Sequence, residues 1–105
     1  MAPVEVVWTN LAREGLLGIY VAIGLENPSA AERTFDRIEL RAGLLADQPR
    51  TGARRPDIRP SARVLVEPPY RIFYETIPDT DVGPVSQGQI VTVVDGCRNL
   101  LPGFF

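Results

Sequence analysis

Five arginines crowd into fourteen residues, at Arg50, Arg54, Arg55, Arg59 and Arg63, and only Asp57 opposes them there. Planar guanidinium groups stay charged when desolvated and grip carboxylates through paired hydrogen bonds, so such a cluster suits the capture of an acidic surface. All 11 basic residues of the chain are arginine; there is neither lysine nor histidine. The side chain most used for proton transfer near neutral pH is therefore missing, as is the ammonium group that activates many nucleophiles. Acid–base chemistry would fall to Tyr20, Tyr70, Tyr74 or a carboxylate, and no catalytic residue is assigned.

Other chemistries are excluded on the same grounds. One cysteine, no histidine and no close carboxylate pattern leave no metal set, and neither a G-x-x-x-x-G-K nor a G-x-G-x-x-G loop is present to cradle phosphates, so no cofactor is expected. Charge is uneven along the chain. Residues 1–49 carry four Arg against seven acids, residues 50–63 five Arg against one, and residues 64–105 two Arg against five, for a net charge of −2. A protein that holds nucleic acid through its phosphates is basic overall, so direct sequence-specific nucleic-acid binding is not expected.

At 105 residues and 45% apolar, the chain is expected to form one domain over 1–105, burying roughly two thirds of the surface its unfolded form exposes. Its apolar runs stop well short of the ~20 residues a bilayer span needs, and Met1-Ala2-Pro3 begins no signal core. A cytoplasmic protein without membrane contact follows. Cys97 reads as a small apolar residue near a strand end.

The elements that must position the arginines can be read in turn. Val4-Glu5-Val6-Val7-Trp8 is β-branched and aromatic, a strand, and Thr9 or Asn10 can cap a helix behind it. Ala12, Leu16, Ile19, Tyr20 and Ile23 share one face of that helix, while Gly15, Gly18 and Gly24 lower its intrinsic stability. Leu17, Val21 and Leu25 extend the apolar surface beyond one stripe, so the helix either buries two faces or keeps one for a partner. Asn27-Pro28 starts a second helix, ending near Asp47, with Ala31, Phe35, Ile38, Ala42 and Leu45 as its buried stripe. So short a connection predicts an antiparallel hairpin. Gln48 to Ala62 is turn chemistry without period, and three strands follow at Arg63–Glu67, Tyr70–Ile77 and Gln89–Gly96. Alternation sets Arg71, Phe73 and Glu75 on one face of the middle strand and Tyr70, Ile72 and Tyr74 on the other. Ile90 to Val94 should be buried on both sides, and Leu100–Phe105 is an apolar tail, laid over the core or offered for docking. The fold class is α+β: an N-terminal strand, a helical hairpin, and a small, mainly antiparallel sheet.

The order of several motifs resembles the ParE/RelE superfamily of bacterial toxins. Trp8-Thr9-x-x-Ala12, Leu45 with Pro49 and Gly52, a lone Arg63 opening a strand, Tyr70-Arg71-Ile72-x-Tyr74, and Val93-Val94 running to Arg98 follow that family's sequence of features. RelE-like ribonucleases carry several Lys and Arg and a proton-handling Tyr or His near the C-terminus, where this chain has Arg98, Asn99 and Phe105. The departure points to the ParE branch, which implies a toxin that inhibits DNA gyrase by binding and is neutralised by a ParD-like antitoxin with a ribbon-helix-helix N-terminus, in a hetero-oligomer. Two other readings remain: a ribosome-dependent messenger-RNA endoribonuclease, and a non-toxic interaction module on the same scaffold.

Within that resemblance Leu17, Val21, Leu25, Arg50, Arg54, Arg55, Arg59 and Arg63 are the expected antitoxin-binding residues. The arginine cluster has two further readings, a grip on gyrase or its DNA, and internal pairing of Arg63 with Asp57 or Glu75 while the others are solvated. Arg71, Tyr74 and Arg98 are the expected target-binding residues, with pairing of the strand arginines to Asp95 or Glu75 as the alternative.

Overall fold

The computed structural model describes residues 4–95. Strand β1 (Glu5–Trp8) leads into helices α1 (Asn10–Gly24) and α2 (Pro28–Gly43), the latter tightening into a 3₁₀ turn at Leu44–Ala46. Four strands follow: β2 (Ala53–Arg54), β3 (Arg63–Glu67), β4 (Tyr70–Ile77) and β5 (Gln87–Asp95). They build one five-stranded sheet in the order β1-β5-β4-β3-β2. Strand β1 runs parallel to β5, and the other neighbours are antiparallel. The α+β class and the hairpin behind an N-terminal strand are as expected.

Local chemistry explains where the helices begin. The Thr9 side chain accepts a hydrogen bond from the Ala12 N–H and shares its own proton between the carbonyls of Ile90 and Val91 at 2.9 and 3.0 Å. One residue therefore caps α1 and ties it to β5. The Asn27 side chain accepts from the Ala30 N–H at 3.1 Å, with Pro28 in the first turn of α2. Gly15 has a packing role beyond its helix penalty. A Cβ there would lie 2.7 Å from the Val93 carbonyl oxygen, so only glycine lets α1 sit this close to β5.

Two cores flank the sheet. On the helix side, Ala12, Leu16, Ile38, Ala42 and Leu45 meet Leu65, Ile72, Tyr74, Ile90 and Val93. On the other side, Ile58 and Ala62 of the irregular crossing segment cover Val64, Phe73 and Val94. The alternation expected for β4 holds: Ile72 and Tyr74 face the helices, and Phe73 faces away. A register shift between Phe73 and Tyr74 pairs them with Thr92 and Ile90, which leaves Val91 as an extra residue. That bulge is why Ile90 and Val93, three apart, both point to the helices.

The structure refines several boundaries. The crossing segment contains the short β2, hidden in sequence by its two-residue length, and β5 starts at Gln87, two residues earlier than expected. Thr34 takes a buried place on α2 where Phe35 was expected, and Phe35 is only partly buried. Cys97, Arg98 and the Leu100–Phe105 tail lie outside the described residues.

Candidate functional site

The five clustered arginines are engaged within the fold, and their partners lie mostly in the loop between β4 and β5. Arg50 donates to the Thr80 carbonyl at 2.7 Å and the Gly83 carbonyl at 2.9 Å. Arg54 donates two hydrogen bonds to Asp81, at 2.8 and 3.1 Å, and a third to Asp79 at 3.0 Å. Arg55 forms a fork with Asp57, 2.9 and 2.8 Å long, and Arg59 lies 3.4 Å from Glu75, whose other oxygen accepts from the Ser61 hydroxyl. Arg63, only 5% exposed, donates to the carbonyls of Gly52 and Arg50 and to Asp81. Its Nε has no hydrogen-bond partner among the described residues. The internal carboxylates differ from the expected ones: Arg63 takes Asp81, while Asp57 and Glu75 go to Arg55 and Arg59.

These contacts shape the local electrostatics. The Arg54 hydrogen bond holds the Asp81 carboxyl below its usual range, and the Arg55 fork does the same to Asp57. Arg54 and Arg55 are raised in turn by those carboxylates. Both pairs are open to water, so solvent screens most of their mutual attraction. What the pairs fix is geometry: the 79–83 loop is strapped to the crossing segment through Arg50, Arg54 and Arg63.

Gly52, the last residue of the Leu45, Pro49, Gly52 stretch read from sequence, joins this strap through the Arg63 hydrogen bond to its carbonyl. The Gly52 N–H donates to the Tyr74 hydroxyl at 2.8 Å, and a Cβ on Gly52 would lie 2.6 Å from the Tyr74 ring and 2.7 Å from the Val64 carbonyl oxygen. Glycine is required because two backbones and an aromatic ring converge there. Burial is the main cause of the raised Tyr74 pKa, and the ring has no exposed surface. Tyr74 is therefore a core residue that anchors the crossing segment. Arg71, on the opposite face of β4, donates no hydrogen bond and forms no ion pair with a described residue, and it lies beside the exposed Val66 on β3. The fold does not bring Arg71 and Tyr74 to one surface.

The hairpin offers a different kind of surface. Leu17, Val21 and Leu25 follow one another at four-residue spacing along α1 and are 58, 51 and 83% exposed. Next to Leu17 a groove of about 500 Å³ opens between α1 and α2, with Tyr20 and Phe35 on its walls and Glu32 and Asp36 at its rim. The two rings meet edge to face with centroids 5.7 Å apart. A neighbouring depression runs past Trp8, Arg13 and Leu16. Sequence reading found the α1 stripe but missed Trp8, Tyr20 and Phe35 as its continuation. Their aromatic character was the available signal, obscured because each also fits a core position.

No group of three or more His, Cys, Asp or Glu among the described residues could hold a metal ion. No helix there is long and apolar enough to cross a membrane. The fold and surfaces thus define a class: a small α+β protein in which a helical hairpin rides on a mixed sheet and leaves apolar side chains uncovered. Residues 6–93 match the family model described as ParE toxin of type II toxin–antitoxin system, parDE, and the chain belongs to that family. A solved structure described as "Chromosomal ParDE TA system from P. aeruginosa" contains a chain with the same fold, at 23% sequence identity and a TM-score of 0.69, covering 88% of this chain and 95% of that one. A search of curated proteins gives no match.

Proposed function

We propose that this chain is the toxin of a ParDE-type pair, that it acts as one domain in the cytoplasm, and that it inhibits DNA gyrase by binding, without catalysis of its own. A ParD-like antitoxin, with a ribbon-helix-helix N-terminus and a segment that folds on this chain, neutralises it. The observation that carries this reading is the uncovered Leu17, Val21, Leu25 stripe and its aromatic groove on a ParE-family fold. An amphipathic helix laid on that surface buries apolar area, and this burial offsets the entropy of ordering a disordered segment.

The arginine cluster enters as the second part of the antitoxin site. Arg50, Arg54 and Arg63 hold the 79–83 loop in place, while Arg55 and Arg59 present partly exposed guanidinium groups to an acidic segment. Arg71 is assigned to the target surface because it has charge without a described internal partner, and Arg98 is proposed to join it. Tyr74 supports that function from the core. With both Tyr70 and Tyr74 raised in pKa by burial, neither is suited to act as a base near neutral pH.

Inducing the chain alone should arrest growth with a DNA-damage response. Rapid loss of messenger RNA with supercoiling untouched would contradict the reading, and normal growth would assign the chain to a non-toxic role.

A further inference from the structure

Among the described residues, the Arg63 Nε is the buried side-chain polar atom left without a hydrogen-bond partner, on a side chain only 6% exposed. Buried N–H groups are almost always paired, so an orphan of this kind marks an acceptor still to be supplied. In a planar guanidinium the Nε–H shares an edge with Nη2, and here Nη2 donates to the Asp81 Oδ1 at 3.3 Å. An edge that can fork onto two oxygens therefore meets one. Asp81 as placed does not supply the second: its Oδ1 also takes the Arg54 Nε at 3.1 Å and Nη2 at 2.8 Å, while its Oδ2 accepts nothing from a described residue. One carboxylate oxygen serves three donors, and a fourth beside them has none.

Charge at the same place favours an anion over water. Arg50 reaches the 79–83 loop through the Thr80 carbonyl and hydroxyl and the Gly83 carbonyl, and it forms no ion pair with a described residue. Arg50, Arg54 and Arg63 thus set three positive charges against the two of Asp79 and Asp81, a surplus of one. The nearby Asp57 and Glu75 are taken by Arg55 and Arg59. The Asp81 side chain is 76% exposed, so it can turn out to water while losing little solvation. With it turned out, the surplus is two, which matches a phosphate dianion better than a single carboxylate. We propose that the Nε–Nη2 edge of Arg63, with Arg54 and Arg50, is a binding site for a phosphate group, and that the Asp81 carboxylate is its internal stand-in. What the exchange adds is an acceptor for the buried Nε, which the carboxylate leaves unsatisfied. The site involves neither the α1 stripe nor the identity of the target, and it stands or falls apart from the toxin reading.

The test follows the Arg63 Nε–H signal in proton–nitrogen NMR spectra of the full-length chain as sodium phosphate replaces sodium chloride at constant ionic strength. The signal should move and saturate. Asp81→Asn removes the competing charge and should lower the half-saturating phosphate concentration roughly tenfold, the size of effect expected from one unit charge beside the anion at a water-exposed site. Arg54→Gln, at a side chain 31% exposed, should raise it by about as much. Main-chain amide signals from both cores should hold their positions in the two variants; if Arg54→Gln disturbs them, the unaltered chain and Asp81→Asn still decide. An Arg63 signal that phosphate leaves unmoved would overturn the proposal. So would a half-saturation unchanged in Asp81→Asn, or an equal response to acetate, which would assign the site to carboxylates.

Discussion

The crossing segment and the outer face of α1 form an instructive pair. The first holds the densest charge in the chain, yet each of its arginines is already engaged inside the fold. The second has modest sequence character, three aliphatic residues at four-residue spacing, and these stand uncovered in the structure. Free energy for binding comes from groups whose environment changes on contact. An arginine that already holds a carboxylate gains little from exchanging it for another, whereas an exposed Leu or Val gains ~1.5–3 kcal/mol when fully buried. The difference teaches that charge density in a sequence shows where a fold is strapped together as readily as where it binds.

Substitutions that act on only one of these regions sharpen the contrast. The largest effect is expected from Leu17→Asp combined with Val21→Asp. Antitoxin affinity should fall by about 4 kcal/mol, near a thousandfold, at the ~2 kcal/mol of a buried anchor for each position. Because both residues are exposed in the free chain, its urea midpoint should stay nearly constant; a large stability loss would mean that the stripe is part of the core. Titration calorimetry with the antitoxin and urea unfolding of the chain alone separate the two outcomes.

Arg63→Ala should do the reverse. It strips a buried charged donor from the carbonyls of Gly52 and Arg50, an expected loss of about 2–4 kcal/mol in unfolding free energy, visible as a lower urea midpoint. Gly52→Ala forces a methyl group into Tyr74 and the Val64 carbonyl and should destabilise by about 1–3 kcal/mol through overpacking. A neutral result at either position would mean that the strap is dispensable to the fold.

A smaller, salt-dependent effect is expected from Arg55→Glu with Arg59→Glu, two of the clustered arginines with partly exposed guanidinium groups. Antitoxin affinity should drop roughly tenfold at low ionic strength and by less at high salt, where the Debye length shortens to ~3 Å at 1 M. Equal affinity at all ionic strengths would return both residues to a purely internal role.

The smallest expected effect is on the pH profile. Asp57 and Asp81 have folded pKa values below the ordinary 3.8, so their stabilisation is present above pH 3.8 and is lost as pH falls through the lowered values. Tyr74, raised above 10.0 by burial, acts at the other end: its contribution is intact below pH 10.0 and is lost as pH rises through the raised value. Urea midpoints should therefore sag at both extremes and stay level between them. Tyr74→Phe should lessen the loss on the alkaline side only, leaving the share that the raised Tyr70 contributes.

Much of the fold was legible because periodicity is local. The capping Thr9, the Asn27-Pro28 start, the alternation of β4 and the order of motifs all lie within a few residues of what they specify. The candidate site was less legible because its defining pairs are remote. Arg54 and Asp81 stand 27 residues apart, and no repeat spacing marks them as partners, although the Asp79-Thr80-Asp81 run was a visible acidic counterpart to the arginine cluster. Strand β2 was hidden for a related reason, since two residues carry no alternation and pair only because Arg63 and Val64 lie opposite. Burial also reassigned Tyr74. Its place in the Tyr-Arg-Ile-x-Tyr stretch gave no sign that the hydroxyl would be held by Gly52.

The most direct test of action by binding alone is a supercoiling assay with purified DNA gyrase, relaxed plasmid and the isolated chain, run beside a translation extract containing labelled messenger RNA. Supercoiling is expected to fall in proportion to the toxin added and to recover when the antitoxin is supplied, with the message left intact. Unimpaired supercoiling together with cut message would contradict it.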